Sequence, residues 1–429
     1  MMNTENAVQL GETQHADAQA GADAQAGADA QPCIVFTGGG TGGHIYPGLA
    51  VIDELRRLGF TGRIVWIGSE KELDRSIVAS HGIEYFAIPS GKFRREISFR
   101  NLTDLGRIAA GYFKAKALLK KLHPVLLFSK GGYVSVPPCR AAAALGIPVF
   151  THESDASPGL ATRLNSVHAE RILTSWEDTA RYFPQSLRSR IIRTGNPTRP
   201  DLFEGDRARG LKLLGFSDDR PVLFVLGGSQ GAQEVNRLVL SSLSGLCPAV
   251  QIVHQTGQAH YEDVVHAMPD DPSIRAAYRP LAYIGAEIAD IYAASDMVAG
   301  RAGAGTIWEA ASLGKPMILI PLSGTGTRGD QVENAALASK IGAAIVLEGD
   351  KATPEAFIAA VRSLLNPEVY SAAAKACRTL AQVTHDVEVP NMQSLDAANS
   401  IATTGSHYAT EFIARFILAR IGWRAKETQ

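Results

Sequence analysis

A histidine that follows a dense glycine loop is the first feature of this sequence that could do chemistry. His44 comes directly after residues 38–43, a stretch in which five glycines surround Thr41. An imidazole exchanges protons near neutral pH, and a glycine loop ahead of a helix presents backbone amides to phosphate. We therefore predict a phosphate-binding loop with His44 as a proton acceptor. The spacing also permits a structural role, in which the glycines allow tight packing and His44 caps a helix.

A second polar cluster stands at the end of an apolar stretch. Residues 146–155 read GIPVFTHESD, which predicts a buried strand that ends in His152, Glu153 and Asp155. The carboxyl ends of strands in an open parallel sheet line the ligand crevice, so this cluster should lie near the glycine loop. We expect His152 and Glu153 to fix the loop and Asp155 to contact the ligand.

The sequence offers arginines, and no metal motif, to balance a phosphorylated ligand. It has no GxxxxGK[ST] segment, no Asp-x-Asp pair after a strand and no His/Cys cluster with ligand spacing. Arg199 and Arg301 are the candidate cations, and we expect neither a metal nor another cofactor. Glycosyl transfer from a nucleoside diphosphate fits this set, because fixed donors stabilise the leaving diphosphate while His44 accepts a proton from the attacking hydroxyl.

The elements that would position these residues alternate in the manner of parallel α/β domains. Apolar strands are predicted at 33–37, 64–68 and 85–88, with helical spacing after His44. The stretch 221–236 repeats the pattern of strand, glycine loop and helix, with Ser229 at the position of Thr41. The prediction is an α/β fold of two doubly wound Rossmann-like domains that face a central cleft.

Composition sets the domain limits and the compartment. The chain has 429 residues with 45% hydrophobic content, enough for two cores. We predict a disordered low-complexity tail at 1–32, domains at 33–198 and 199–381, and a tail at 382–429. The net charge of -1 argues against nucleic-acid binding. The four dispersed cysteines are typical of reduced thiols in a cytoplasmic protein.

Residues 92–121 have a different character. Nine of them are basic and two are acidic, with aromatic and aliphatic residues between them at helical spacing. Such a segment suits an anionic membrane surface. A solvated basic face over an ordinary core helix would have the same spacing.

The motifs together resemble one family. They occur in a fixed order over about residues 33–380: GGGTGGHIYPGLAV, GGYVS, HES, GNPTR, GGSQGA, RAGAGT followed by Glu309, and DQVENA. The sequence thus resembles the MurG family of peptidoglycan glycosyltransferases. The resemblance implies the GT-B fold and an inverting transfer of N-acetylglucosamine from UDP-N-acetylglucosamine to the undecaprenyl-linked muramyl-pentapeptide. It also implies peripheral attachment at the cytoplasmic face of the inner membrane, with residues 92–121 as the docking region.

The resemblance also assigns roles to individual residues. Thr41, Gly42 and Gly43 would lie near the donor sugar and diphosphate, with His44 as the base. Arg199 would meet the nucleotide, Ser229 the phosphates, and the backbone of Ile284 the uracil. The donor would be lined by one further segment, Ala304, Gly305, Thr306, Ile307, Trp308 and Glu309. Glu309 would accept the ribose hydroxyls and Gln331 would bind hydroxyls of the sugar, which suits a carboxylate and an amide.

Two positions and the C-terminal tail depart from the family pattern. Asp155 replaces a usual asparagine, which leaves open whether His44 or Asp155 is the general base. Ala302 replaces a frequent serine. The tail after Gln382 is longer than usual, and we expect the segment 408–423 to form a helix that returns to the first domain.

Three other functions fit parts of the sequence. A UDP-N-acetylglucosamine epimerase of the same fold would act without a lipid acceptor. A nucleotide-dependent dehydrogenase would use Gly38, Gly40 and Gly43 with Glu70 as the ribose-binding acid, but it gives no role to the repeated glycine loop. A non-catalytic nucleotide-sugar-binding protein would not need His44 for turnover.

Overall fold

The computed structural model of the protein describes most of the chain. The described residues are 31–91, 99–216, 219–227, 231–324, 329–382 and 408–423. Nearly all of the predicted tail 1–32, the start of the basic segment at 92–98, and Ser229 lie outside these ranges. The domain limits drawn from the sequence therefore stay predictions at the chain ends.

Thirteen strands among the described residues form two sheets. The first sheet contains β1 (Cys33–Thr37), β2 (Arg63–Gly68), β3 (Glu84–Ala87), β4 (Leu126–Ser129), β5 (Val149–Glu153), β6 (Arg171–Thr174) and β7 (Ile191–Arg193). The second contains β8 (Val222–Leu226), β9 (Gln251–Gln255), β10 (Tyr278–Leu281), β11 (Met297–Gly300), β12 (Met317–Leu319) and β13 (Ala344–Val346). The predicted domain junction at 198/199 falls between β7 and β8.

Both sheets have the doubly wound strand order. The first runs β3-β2-β1-β4-β5-β6-β7 and the second β10-β9-β8-β11-β12-β13. Every strand pair recorded in these two sheets is parallel. In each sheet the order reverses beside the first strand, which is where a doubly wound sheet opens its ligand crevice. The predicted fold class is confirmed.

Helices of the described residues cover the faces of these sheets. In the first half they are α1 (Tyr46–Arg57), α2 (Glu72–Ser80), α3 (Phe99–Leu122), α4 (Val136–Ala143), α5 (Leu160–Ser166) and α6 (Gln185–Arg188). In the second half they are α7 (Arg207–Leu214), α8 (Gln233–Leu246), α9 (Tyr261–His266), α10 (Pro272–Ala277), α11 (Ile288–Ala294), α12 (Ala304–Ser312), α13 (Asp330–Lys340), α14 (Pro354–Leu364), α15 (Pro367–Ala381) and α16 (Tyr408–Arg420). Short 3-10 turns occur at Gly42–His44, Tyr133–Ser135, Glu177–Tyr182, Pro200–Glu204, Gln258–His260 and Gly349–Lys351. None of the described helices is both long and apolar enough to cross a bilayer.

The inner strands are apolar because they are buried on both faces of their sheets. All five residues of β1 and all five of β8 are buried. Around the first sheet, one cluster of core residues includes α1 and α16, and another includes the buried side of α3 and α4. Strands buried on both faces read as continuous apolar runs, which is why these two were predictable.

The helix α16 packs against the first domain. It contacts α1, and Phe416 stacks on Phe150 of β5 with ring centroids 5.1 Å apart. Arg420 forms two hydrogen bonds with the carboxylate of Glu170, at 2.6 and 2.9 Å, which holds the pKa of that carboxyl below its usual range. These contacts fix α16 against the domain that contains β1.

One threonine of α16 pins the segment that joins the two sheets. The buried Thr410 hydroxyl accepts from the Thr198 amide at 3.1 Å and donates to the Thr198 carbonyl at 2.8 Å. Both backbone groups of this buried residue are therefore paired by one side chain. Thr198 immediately precedes Arg199, so α16 helps to fix the position of that arginine.

Replacement of Thr410 by valine should destabilise the protein by about 1–3 kcal/mol, because two buried backbone groups lose their partner with little change in volume. Thermal unfolding of the variant and the parent protein measures the difference. Thr379→Val, at an exposed position of α15, is the control and should stay within about 0.5 kcal/mol. Equal melting temperatures for all three proteins would show that the Thr198 contact does not stabilise the fold.

Candidate active site

The glycine loop after β1 is held in place by a buried carboxylate. Gly39 and Gly40 have φ angles of 151° and 90°, and the Gly40 amide donates to Asp74 Oδ2 at 2.7 Å. Ser69 donates to the same oxygen at 2.6 Å. A Cβ at Gly39 would lie 2.6 Å from Asp74 Oδ2, so only glycine fits there. The sequence analysis did not identify Asp74 as the anchor of this loop.

His44 lies in a 3-10 turn before α1. The sequence pattern predicted that the helix begins at His44, but α1 begins at Tyr46, with Pro47 in its first turn. Proline suits the first turn of a helix, where its missing N–H costs no hydrogen bond. The turn therefore sets His44 apart from the helix, on the loop itself.

The ring of His44 is oriented by the loop after β4. Its Nδ1 lies 3.2 Å from the carbonyl oxygen of Lys130. A carbonyl can only accept, so Nδ1 carries the proton and the lone pair of the neutral ring is on Nε2. Gly132 has a φ of 76°, and a Cβ there would lie 3.1 Å from His44 Cδ2. The close fit of this loop around the ring fixes the base candidate.

Lys130 is the centre of a buried polar network that the sequence did not reveal. Its side chain is almost fully buried, and its Nζ lies 2.9 Å from His152 Nδ1 and donates to Ser154 Oγ. His152 Nε2 donates to the Gly195 carbonyl at 2.9 Å, and Ser154 donates to Asn196 Oδ1 at 2.7 Å. The network joins the ends of β4, β5 and β7.

Burial lowers the pKa of both Lys130 and His152. Desolvation lowers the pKa of Lys130 to about 8, against the opposing attraction of Glu153 and Asp155. The pKa of His152 is held well below its usual range by burial and then by the charge of Lys130. His152 is therefore neutral at pH 7, as its donation from Nε2 and acceptance at Nδ1 require.

Glu153 and His152 have the structural role that the sequence analysis assigned to them. Glu153 accepts from the amides of Asp155 and Gly159 at 3.1 and 3.0 Å, which closes the loop after β5. His152 pairs with Lys130 and the Gly195 carbonyl. The contacts confirm that these two side chains fix the loop.

Asp155 contacts the opposite domain through a buried amide. Asn334 of α13 donates to Asp155 Oδ1 at 3.0 Å and to the Ala302 carbonyl at 3.2 Å, and it accepts from the Ala156 amide at 2.8 Å. The structure thus shows a domain contact of Asp155 that the sequence analysis did not predict, while its ligand contact stays a prediction. Tyr182 also reaches across the domains, to Glu333.

Arg199 and Glu309 form one pair at the domain junction. Arg199 Nη2 lies 3.4 Å from Glu309 Oε1, and Tyr292 donates to Glu309 Oε2 at 3.1 Å. Burial raises the pKa of Glu309, and the charge of Arg199 opposes this shift. The Arg199 guanidinium lies over the ring of Tyr46, 5.7 Å from its centroid. Tyr46 is two residues from His44, so this pair adjoins the glycine loop.

The segment 304–309 forms the start of α12. Ile307 and Trp308 are buried in the core, and Trp308 packs edge-on against Trp176 of the first domain at 5.3 Å. A donor contact from Ile307 or Trp308 would therefore have to come from the backbone. Gly305 has nothing within 4 Å of a hypothetical Cβ, so this end of the helix is open.

The other predicted donor contacts are distributed over the second domain. Arg301 pairs with Glu234 and donates to the Ile320 carbonyl at 3.2 Å, so it is committed to protein partners here. Gln331 Oε1 accepts from the Leu322 amide at 2.9 Å. Ile284 is buried, in the loop after β10.

The candidate site residues come from both domains. The first domain contributes the glycine loop, His44 and Asp155, and the second contributes Glu309 and the start of α12. Among the described residues, no group of three or more His, Cys, Asp or Glu side chains could hold a metal. Glu70, the acid of the dehydrogenase alternative, pairs with Arg107 of α3.

These two doubly wound domains have the GT-B fold, and comparison with known proteins identifies the family. Residues 34–174 match the N-terminal domain of glycosyltransferase family 28, and residues 222–387 match its C-terminal domain. The chain belongs to glycosyltransferase family 28.

Curated relatives extend over most of the chain. A UDP-N-acetylglucosamine--N-acetylmuramyl-(pentapeptide) pyrophosphoryl-undecaprenol N-acetylglucosamine transferase of Treponema denticola is 48% identical over 344 residues, covering 77% of this chain and 88% of the relative. The transferase of the same name from Shouchella clausii is 40% identical over 333 residues, with 78% and 91% covered.

Solved structures share the fold. Acinetobacter baumannii MurG superposes with a TM-score of 0.65 at 24% identity, covering 90% of this chain and 99% of that one. A UDP-GlcNAc 2-epimerase from Neisseria meningitidis bound to UDP-GlcNAc gives a TM-score of 0.56 at 17% identity, with 90% and 99% covered. These likenesses concern the fold alone.

The lowered pKa of Lys130 predicts a rise in stability at alkaline pH. The folded protein releases this proton as the pH passes about 8, whereas an unfolded chain holds it up to the ordinary lysine pKa of 10.5. The unfolded state binds more protons in this window, so the free energy of unfolding should rise with pH by up to roughly 3 kcal/mol. Unfolding of the parent protein and Lys130→Met at pH 7 and pH 10 isolates the effect. If the difference in free energy of unfolding between the parent protein and Lys130→Met is the same at pH 7 and pH 10, Lys130 keeps its ordinary pKa.

Proposed function

We propose that this protein transfers N-acetylglucosamine from UDP-N-acetylglucosamine to the 4-hydroxyl of undecaprenyl-pyrophosphoryl-N-acetylmuramoyl-pentapeptide, which converts lipid I to lipid II in peptidoglycan synthesis. The observation that carries the proposal is the 48% identity to the Treponema denticola transferase over 88% of its length. The cell-wall product connects the reaction to cell shape and division.

The donor binds with its nucleotide at the second domain. Glu309 accepts the ribose hydroxyls, with Arg199 and Tyr292 holding its carboxylate. Arg199 Nε is buried without a hydrogen-bond partner among the described residues, which makes it a donor for a ligand oxygen. The diphosphate lies at the start of α12, from Ala304 to Thr306, since helix amides favour negative charge. Ser229 also contacts the diphosphate. The backbone of Ile284 contacts the uracil, and Gln331 binds hydroxyls of the sugar.

The acceptor and the base lie at the first domain. His44 Nε2 takes the proton from the 4-hydroxyl while that oxygen attacks the anomeric carbon. The new glycosidic bond forms as the bond from the anomeric carbon to the diphosphate oxygen breaks, and UDP leaves with the electron pair. Attack from the opposite side inverts the anomeric centre. Thr41, Gly42 and Gly43 lie beside the sugar and the diphosphate.

Between the two base candidates, the contacts favour His44. The Lys130 carbonyl fixes the His44 tautomer with its lone pair on Nε2. Asp155 accepts from Asn334 at 3.0 Å, which assigns one of its oxygens to the domain contact. Asp155 then holds the two domains together around the donor through Asn334. An asparagine at position 155 could make the same contact.

A lipid acceptor requires that the protein reach the membrane, and α3 offers a surface for it. Its buried side includes Ala115 and Leu119, while Leu105 and Phe113 are exposed at 54% and 68%. Lys114, Lys120 and Lys121 are exposed on the same helix. The helix is thus a core helix that also presents apolar and basic groups outward, and we propose that it docks peripherally on the anionic cytoplasmic face of the inner membrane.

Transfer of label is the direct test of the function. Purified protein is incubated with radiolabelled UDP-N-acetylglucosamine and a lipid-linked muramyl acceptor, and the lipid is extracted. We expect label in the lipid only when the acceptor is present. Label that remains soluble, with UDP-N-acetylmannosamine formed in the absence of acceptor, would establish the epimerase alternative and reject the transferase.

Substitution of the two base candidates assigns the base. His44→Ala should lower kcat about 10²–10⁴-fold while UDP-N-acetylglucosamine still binds, because only the proton acceptor is lost. Asp155→Asn keeps an oxygen that accepts from Asn334 and should retain kcat within about tenfold, as expected for a residue outside the proton transfer. Steady-state kinetics of both variants decide the assignment. The reverse pattern would make Asp155 the base.

Membrane docking is tested with vesicles. Phe113→Ser combined with Leu105→Ser should reduce cosedimentation with anionic vesicles about tenfold or more, because exposed apolar side chains drive insertion at the interface. Leu213→Ser, at an exposed leucine of α7 in the second domain, serves as the control and should bind like the parent protein. Equal binding of all three would place the docking surface elsewhere.

A further inference from the structure

We propose that Lys130 is a positioning residue of the transfer reaction, which holds His44 in its base-competent orientation and ties the Asp155 loop to the segment that leads into Arg199. The inference rests on the proposed function and adds a residue to its machinery. None of the sequence motifs discussed above assigns a role to this lysine.

The backbone of Lys130 joins the two loops that carry the base. Its amide donates to the Thr37 carbonyl at 2.8 Å, at the end of β1. Its carbonyl accepts from His44 Nδ1 at 3.2 Å. Gly38 lies directly against it, since a Cβ there would be 3.3 Å from Lys130 Cβ. A shift of Lys130 would therefore move both the glycine loop and the imidazole.

The side chain of Lys130 joins two further segments. Its ammonium donates to His152 Nδ1 at 2.9 Å and to Ser154 Oγ, which precedes Asp155. Ser154 passes the connection to Asn196 Oδ1 at 2.7 Å. Asn196 is three residues before Arg199, in the segment that Thr410 pins at Thr198. One buried residue thus connects the base, the Asp155 loop and the donor-side arginine.

The charge of Lys130 is matched by carboxylates on the neighbouring element. Glu153 and Asp155, both at the end of β5, attract the ammonium and favour its charged form. His152 of β5 is neutral, and His44 of the glycine loop faces the carbonyl rather than the ammonium. The segment after β7 contributes the uncharged Gly195 carbonyl and Asn196. Loss of the proton from Lys130 would remove the attraction that draws the Asp155 loop inward.

This arrangement has a consequence for the pH dependence of the reaction. With a pKa of about 8, Lys130 is largely charged at neutral pH and loses its charge as the medium becomes alkaline. The charged form makes the stronger hydrogen bonds to Ser154 and His152. We expect kcat of the parent protein to fall above about pH 8, because the loop geometry loosens as the ammonium is neutralised.

The test is the pH profile of kcat for Lys130→Met, measured with UDP-N-acetylglucosamine and the lipid-linked acceptor. We expect kcat at pH 7 to fall about 10–100-fold, with the KM for UDP-N-acetylglucosamine changed less than about threefold, and the decline above pH 8 to disappear. Ser154→Ala keeps the charge and removes one hydrogen bond, so it should lower kcat about 3–10-fold and retain an alkaline decline. If Lys130→Met does not fold, the kcat of Ser154→Ala tests the positioning role of Lys130 instead.

Lys315→Met is the matched control. Lys315 is a partly buried lysine of the second domain whose pKa is also lowered by burial, and its Nζ donates to the Ser295 carbonyl at 2.6 Å. This variant should lose stability while its kcat and pH profile stay those of the parent protein. A merely structural Lys130 would behave in the same way, with lower thermal stability and an unaltered pH profile.

The outcomes separate the two proposals. If the parent protein transfers no label to the lipid, the proposed function fails. If the parent protein transfers label but Lys130→Met keeps the parent kcat and pH profile, the positioning role is overturned and the function stands. Where Lys130→Met does not fold, an unchanged kcat of Ser154→Ala overturns the positioning role, because only its kcat is expected to change. A fall in kcat with loss of the alkaline decline in Lys130→Met supports the positioning role.

Discussion

The site depends on how closely the loop after β1 approaches the loop after β4. Within the first loop a Cβ at Gly38 would lie 2.6 Å from the His44 carbonyl oxygen, and between the two loops a Cβ at Gly132 would lie 2.7 Å from the Gly39 carbonyl oxygen. Contacts this short leave no room for a side chain, so both loops need glycine. The two interpretations of the glycine-rich sequence are therefore compatible, because the same tight packing that excludes side chains also sets the imidazole beside a loop of backbone amides.

A neutral side chain, that of Asn334, makes a contact between the two domains. Asn334 is fully buried and uses its amide nitrogen for Asp155 and the Ala302 carbonyl and its oxygen for the Ala156 amide. An amide can donate and accept at once, so it satisfies groups from both domains without bringing a second charge into the interface. The departure from asparagine to aspartate at position 155 is compatible with this contact, because the partner supplies the donor.

The strands that could be predicted are those that form a continuous apolar run in the sequence, because such a run indicates burial. The strands β1 and β8 are continuous apolar runs followed by glycine loops; β1 has the predicted bounds, and β8 lies at the start of the stretch 221–236 predicted as strand, loop and helix. The analysis did not identify β6, β7, β10 and β13. These strands have three or four residues, and β10 contains Pro280, which is tolerated because β10 is an edge strand. Their pairing is determined by the neighbouring strands rather than by their own composition.

The same distinction applies to the site. His44 and Asp155 were found because they follow predicted strands and glycine loops, whereas the sequence analysis gave no role to Lys130 or Asn334. A lysine after an apolar strand is usually solvated, and only the tertiary contacts with His152, Ser154 and the nearby carboxylates make its burial tolerable. The free energy of such a group is set by partners that lie more than twenty residues away in the chain. A sequence can therefore mark the ends of strands where chemistry occurs, but the buried polar groups that orient it emerge only when the sheets are assembled.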